Sequence, residues 1–166
     1  MAKRQQILIG MAAGAVWGLV LIWIGSTQIS IPPFSRALVQ PFLFLAPGLI
    51  LLAMIAALAA RRFFDVDLID GQSPPAGCRA DIDQRVLKNT LEQAVLAICL
   101  WTPITFLLPS TGLSITVCLS VNFLFARILF WVGYHISPPL RAFGFAATFY
   151  PTVLTLLWAI IWWLRP

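Results

Sequence analysis

The stretch Leu107-Leu108-Pro109-Ser110-Thr111-Gly112-Leu113 decides the fold. It sets a tight turn between two apolar runs, Asn89–Leu108 and Gly112–Tyr134. A helix needs about 20 apolar residues to cross the hydrocarbon of a bilayer, and both runs are long enough. Proline followed by serine, threonine and glycine breaks the helix. So short a break predicts two neighbouring antiparallel helices. Outward from this hairpin lie three more runs of the same kind: Gln5–Gly25, Ala37–Ala60 and Ala142–Leu164. Inside the five, only Glu92 and Arg127 are charged. The composition agrees: the 166 residues are 60% hydrophobic and 10% charged, where a soluble domain has roughly 45–50% and 25%. That excludes a soluble enzyme, a disordered tail and a small secreted disulfide scaffold. The sequence predicts an all-α integral membrane protein. The first run follows Lys3 and Arg4 like a signal peptide, but it is long for such a segment and lacks a clean cleavage motif.

Basic residues set orientation, because they concentrate in cytoplasmic loops. With the N-terminus inside, nine of the eleven bases lie on or near the inner side, among them Arg61, Arg62, Arg79, Arg85, Lys88, Arg127 and Arg141. Only Arg36 and Arg165 lie outside, and all six acids fall inside. The C-terminus is then external, with Trp162 and Trp163 as interfacial anchors. Gly71-Gln72-Ser73-Pro74-Pro75-Ala76-Gly77 reads as a flexible, non-helical inner loop. Ser137-Pro138-Pro139 reads as a short inner turn. Pro47, Pro103 and Pro151 fall inside spans, where they read as packing kinks.

The chemistry concentrates on the inner side. Arg85, Asn89 and Glu92 stand at i, i+4 and i+7, so they share one helical face that enters the bilayer. An acid within a span costs roughly 2.5–3.5 kcal/mol on insertion scales and therefore seeks a partner. Glu92 reads either as a polar clamp, with Arg85 or with an arginine of another helix, or as part of a polar-ligand pocket. Arg127 is long enough to snorkel to the interface. Its preferred reading is a structural ion pair with Glu92. Tyr134 and Arg141 bracket the last inner turn. A cation at the start of a helix opposes the dipole there; Arg141 reads as an interfacial anchor or as a contact for an anion held with free N–H groups. His135 is the sole histidine, and Cys78, Cys99 and Cys118 have no metal spacing, so no metal site is expected. Cys99 and Cys118 read as small apolar fillers, and Cys78 as a loop thiol.

Taken together, Ala60-Arg61-Arg62-Phe63-Phe64, a Pro-Pro loop, Arg85-x-x-x-Asn89-x-x-Glu92, Ala126-Arg127-Ile128, then Gly133-Tyr134 and Arg141 resemble the membrane-associated proteins in eicosanoid and glutathione metabolism, the MAPEG family. The resemblance covers about residues 37–164. It implies a four-helix transmembrane domain, residues 37–166, preceded by an additional helix and outer loop, residues 1–36. It also implies a homotrimer with a cytoplasm-facing glutathione site between subunits. By resemblance, Arg61, Arg62, Arg85, Asn89, Glu92 and Tyr134 would bind glutathione, and Arg141 would stabilise its thiolate as the catalytic residue. Leu87, Gln93 and Phe130 depart from the leukotriene synthase of that family, which has a polar contact and tyrosines there. The expected function is a membrane glutathione transferase or peroxidase acting on lipophilic electrophiles. The alternatives are a non-catalytic module that binds lipid or stabilises a partner, and, more weakly, a small channel. Glutathione is expected as substrate, without a metal. The expected partners are a lipophilic small molecule and membrane lipid, with no nucleic acid. The expected location is a bacterial inner membrane.

Overall fold

The computed structural model describes residues 3–165. Five helices in it are long and apolar enough to cross a membrane: α1 (Lys3–Thr27), α2 (Leu45–Phe64), α3 (Arg79–Leu107), α4 (Gly112–Ile136) and α5 (Pro138–Trp163). No strand occurs among the described residues. The protein is an integral membrane helical bundle. Helices α2 to α5 pack on one another, and α1 lies along α5 and α4.

Three boundaries differ from the sequence reading. The second span enters through Pro33–Phe44, a series of short 3-10 and α turns, before α2 begins at Leu45. Pro33 and Pro41 stand early in the two 3-10 segments; a proline removes an N–H donor and disfavours α geometry just before it. α3 begins at Arg79, ten residues ahead of the apolar run, where the Cys78 sulfur accepts from the Asp81 N–H at 3.4 Å. At about 1.5 Å per residue, α3 outreaches a hydrocarbon core of about 30 Å, so its charged first turns project beyond it. α5 begins at Pro138, whose missing N–H costs nothing in a first turn.

The loop between α2 and α3 is only partly free. Gly71 and Gly77 take φ of 81° and 82°, the left-handed region that glycine enters without strain. Leu68, however, is buried against Leu58 and Ala80 and pins the loop to the bundle.

At the centre Trp101 is stacked on Phe44 and meets the edge of Phe123, while its Nε1–H donates to Thr152 at 3.3 Å. α4 is the polar spine. A proline inside a helix leaves the carbonyl four residues earlier without its usual donor, and lipid offers no replacement. Pro151 does this to Ala147. The Ser120 hydroxyl donates to Leu43 O at 2.7 Å, and Asn122 Nδ2 donates to Ala147 O at 2.7 Å. The Asn122 carbonyl in turn accepts from Trp17 Nε1 of α1 at 2.8 Å. α1 approaches α5 through Gly10, Gly14 and Gly18. A Cβ at Gly14 would lie 2.5 Å from that of Ala146. This four-residue spacing of glycines is a membrane helix-packing signal that the sequence reading above passes over.

The packing gathers the start of α1, the end of α2, the start of α3, the end of α4 and the start of α5 at one end of the bundle. Gly10 lies against Pro139, Arg61 against Asp83 and Asp83 against His135.

Candidate functional site

At that end a pocket of about 350 Å³ brings together Asn89, Tyr134 and Arg141, three of the residues singled out from sequence. Ile7, Met11, Phe130, Ala142 and Phe145 complete it. The α4–α5 turn positions the two ring-forming partners. At Gly133 a Cβ would collide with the backbone N and Cα of Arg141, so glycine lets the helices meet there. The Arg141 guanidinium then lies over the Tyr134 ring, 4.8 Å from its centroid. A planar cation stacked on an aromatic face keeps its N–H edge free for other acceptors. No acidic partner for Arg141 occurs among the ion pairs of the described residues. The Tyr134 ring is braced in turn by the edge of Phe130, at 5.1 Å.

Asn89 links this pocket to the interior. Its Oδ1 accepts from Arg127 Nη1 at 2.9 Å. Its Nδ2 donates to Glu92 Oε2 at 3.4 Å. Arg127 is wholly buried. Its Nη2 donates to the Thr148 hydroxyl of α5, and its guanidinium lies 4.5 Å from the Phe130 centroid and 5.7 Å from that of Phe123. The expected direct Glu92–Arg127 ion pair is therefore absent within the chain, and Arg127 does not snorkel. Asn89, one turn before Glu92, takes the position between them, and Glu92 lies on the exposed side of α3.

Arg85 does not turn toward Glu92 either. It grips Asp81 through two hydrogen bonds, Nε at 3.2 Å and Nη2 at 2.8 Å. Asp81 is one turn away, whereas Glu92 is two, and a shorter reach wins on a helix surface. Arg61 pairs with Asp83 at 2.6 Å. Arg62 reaches Gln84 Oε1 at 3.4 Å. Within one chain, Arg61, Arg62, Arg85 and Glu92 lie outside the pocket that holds Asn89, Tyr134 and Arg141.

Asp83 is the polar residue that the sequence reading missed. It is buried at 3% exposure. Its Oδ1 accepts from Trp131 Nε1 at 2.7 Å and meets His135 Nε2 at 2.8 Å. One carboxylate thus ties α2, α3 and α4 beside the pocket. The signal lay in the spacing: Asp83, Val86, Thr90, Gln93 and Ala97 form the buried stripe of α3, and Asp83 extends it. The described residues contain no group of side chains able to hold a metal ion. Cys99 is exposed on the bundle surface rather than a filler, while Cys118 is buried.

No curated protein and no solved structure matches the chain. The sequence pattern of the MAPEG family matches residues 42–162, from just before α2 to the end of α5. That is well over half of the chain, and α1 with the segment that follows it lies outside the match. The protein belongs to the MAPEG family.

Proposed function

We propose that this protein is a membrane glutathione transferase, with the related peroxidase reaction open to the same site. The observation that carries the reading is the Arg141 guanidinium stacked on Tyr134, with no acidic partner, in a pocket shared with Asn89. A free thiol with a pKa of about 8.5 is mostly protonated at neutral pH. An adjacent guanidinium favours the thiolate, whose proton passes to water. The thiolate then attacks the electrophilic carbon of a bilayer-borne substrate, forming a C–S bond as the bond to a leaving group breaks or, in a conjugated alkenal, as the C=C π bond breaks and the α carbon takes a proton from water. With a hydroperoxide, the thiolate would instead attack oxygen and release the alcohol. A second glutathione would then convert the sulfenic acid to the disulfide and water.

The same proposal includes a homotrimer. Arg85 and Glu92 lie on an outward face of α3, where a neighbouring copy would bring them to the glutathione of the next subunit. Asn89 and Tyr134 would contact the tripeptide, with Arg61 and Arg62 near its charged ends. The positive-inside bias supports a cytoplasm-facing site and an inside N-terminus, and the short loops support a bacterial inner membrane as the setting.

The experiment is glutathione conjugation and hydroperoxide reduction by the purified protein in detergent, with Arg141→Ala beside it. Activity lost in the variant supports the assignment. Equal activity in both would sink the role of Arg141. A specific observation favours a second reading, a non-catalytic lipid-binding member: Arg85 is already engaged by Asp81. Absence of glutathione binding by calorimetry, with the fold intact, would select that reading.

A further inference from the structure

The wall of the Arg141 pocket facing α1 is supplied by residues outside the segment that matches the family. Ile7 and Met11 are one turn apart on α1, and both line the pocket together with Asn89 and Tyr134. Both are half-buried rather than lipid-facing. Their position is held on two sides. Gly10 and Gly14, on the same face, bring α1 against Pro139, Ala142 and Ala146 of α5. Trp17 Nε1 donates to Asn122 Oδ1 at 2.8 Å, which sets the register of α1 against α4.

The pocket is therefore of mixed character. Asn89, Tyr134 and Arg141 supply its polar groups, and Ile7, Met11, Phe130, Ala142 and Phe145 its apolar side. Its volume of about 350 Å³ lies within the range of small-molecule sites, roughly 300–1,000 Å³. We infer that Ile7 and Met11 of the additional helix are specificity-determining residues, which select the lipophilic substrate by the length of its apolar body. This rests on the proposed function for the reactive end, but the wall itself is testable without catalysis. Met11 is the better position to vary, since its unbranched side chain can be shortened or enlarged without a branched neighbour to displace. A methylene gained or lost in such a pocket changes selectivity by about tenfold or more.

The test uses the full chain in detergent. An anionic dansyl-labelled fatty acid reports occupancy by fluorescence. Conjugation of glutathione to short-, medium- and long-chain 2-alkenals reports selectivity through kcat/KM. Met11→Trp fills the apolar side and is expected to weaken probe binding about tenfold and shift preference to the short alkenal. Met11→Ala and Ile7→Ala are expected to shift it toward the long one. Ala12→Trp adds the same bulk on the exposed side of α1 and should leave both readouts at the wild-type value. Unchanged binding and unchanged chain-length preference in Met11→Trp and Met11→Ala would overturn the inference. So would an equal loss in Ala12→Trp, which would assign the effect to helix disruption. If the wild type conjugates no alkenal, the transferase reading fails for this electrophile class, separately from the wall. Probe binding that still responds to Met11 and not to Ala12 then upholds the wall, and probe binding indifferent to Met11 overturns it.

Discussion

Arg127 Nη1 donates to Asn89 Oδ1 at 2.9 Å, so a neutral amide rather than a carboxylate holds the one wholly buried charge of the bundle. A buried cation must find acceptors, because lipid and packed side chains offer none. Asn89 and Thr148 are those acceptors. Asn89→Leu removes one and is expected to destabilise the protein by about 2 kcal/mol, read as a lowered Tm in detergent. Asn89→Asp, which keeps an acceptor beside the guanidinium, should retain most of that stability. Equal Tm values for Asn89→Leu and the wild type would contradict the assignment.

The proline-freed carbonyl of Ala147 yields a second test. Asn122→Ala strips its donor and leaves Trp17 Nε1 without an acceptor. A loss of about 1–2 kcal/mol is expected, the upper range of hydrogen bonds between membrane helices. Pro151→Ala restores an N–H at position 151, which can serve Ala147 O directly. The double variant should therefore lose less than the sum of the single losses, a coupling that thermal denaturation of all four proteins measures.

The seat of α1 can be probed at a single glycine. Gly14→Leu forces a side chain into Ala146, and overpacking of this kind costs about 1–3 kcal/mol. The Trp17 fluorescence should also change as the indole leaves Asn122. Gly48→Ala is the opposite case. Its Cβ meets nothing within 4 Å, and alanine is the better helix former by about 1 kcal/mol. A raised or unchanged Tm is expected there.

Asp83 joins three helices, so its removal should be costly. Asp83→Ala leaves Trp131 Nε1 without its acceptor and Arg61 without its ion-pair partner, and a loss of about 2–3 kcal/mol is expected. Asp83→Asn keeps an oxygen for Trp131 and should lose less. Chemical denaturation with an unchanged slope would confirm that stability alone has moved.

For Arg141 the expected readout is a pH profile. If Arg141 stands beside the glutathione sulfur, as proposed, its guanidinium lowers the thiol pKa, and activity should rise with pH through a depressed value and already be high near neutrality. Arg141→Ala should move that rising limb in the alkaline direction, toward the free-thiol value of about 8.5. Activity at neutral pH should fall about 100-fold, the scale of losing one electrostatic stabiliser. Arg141→Lys keeps a charge but not the planar fork and should fall between them. A limb at the same pH in all three proteins would remove Arg141 from thiol activation.

The number of spans was legible because lipid imposes a length and a polarity on any segment that crosses it, and both are properties of consecutive residues. The turn at Pro109–Gly112, the Tyr134–Arg141 bracket and the polar positions of α3 are local in the same sense. Who partners whom is not local. Glu92 and Arg127 are matched in charge and depth, yet Asn89 stands between them in three dimensions; the Asp81–Arg85 pair, one helical turn apart, is the local exception. Asp83 reads as one more loop-proximal acid until helix packing turns it inward toward Arg61, Trp131 and His135. The additional helix reads as a plain span, but its glycines seat it on α5, and only that seating makes Ile7 and Met11 neighbours of Arg141. Hydropathy is additive along a chain, so sequence alone determines a membrane bundle. Hydrogen-bond pairing and pocket walls depend on the rotation and register of packed helices, so the tertiary structure decided them.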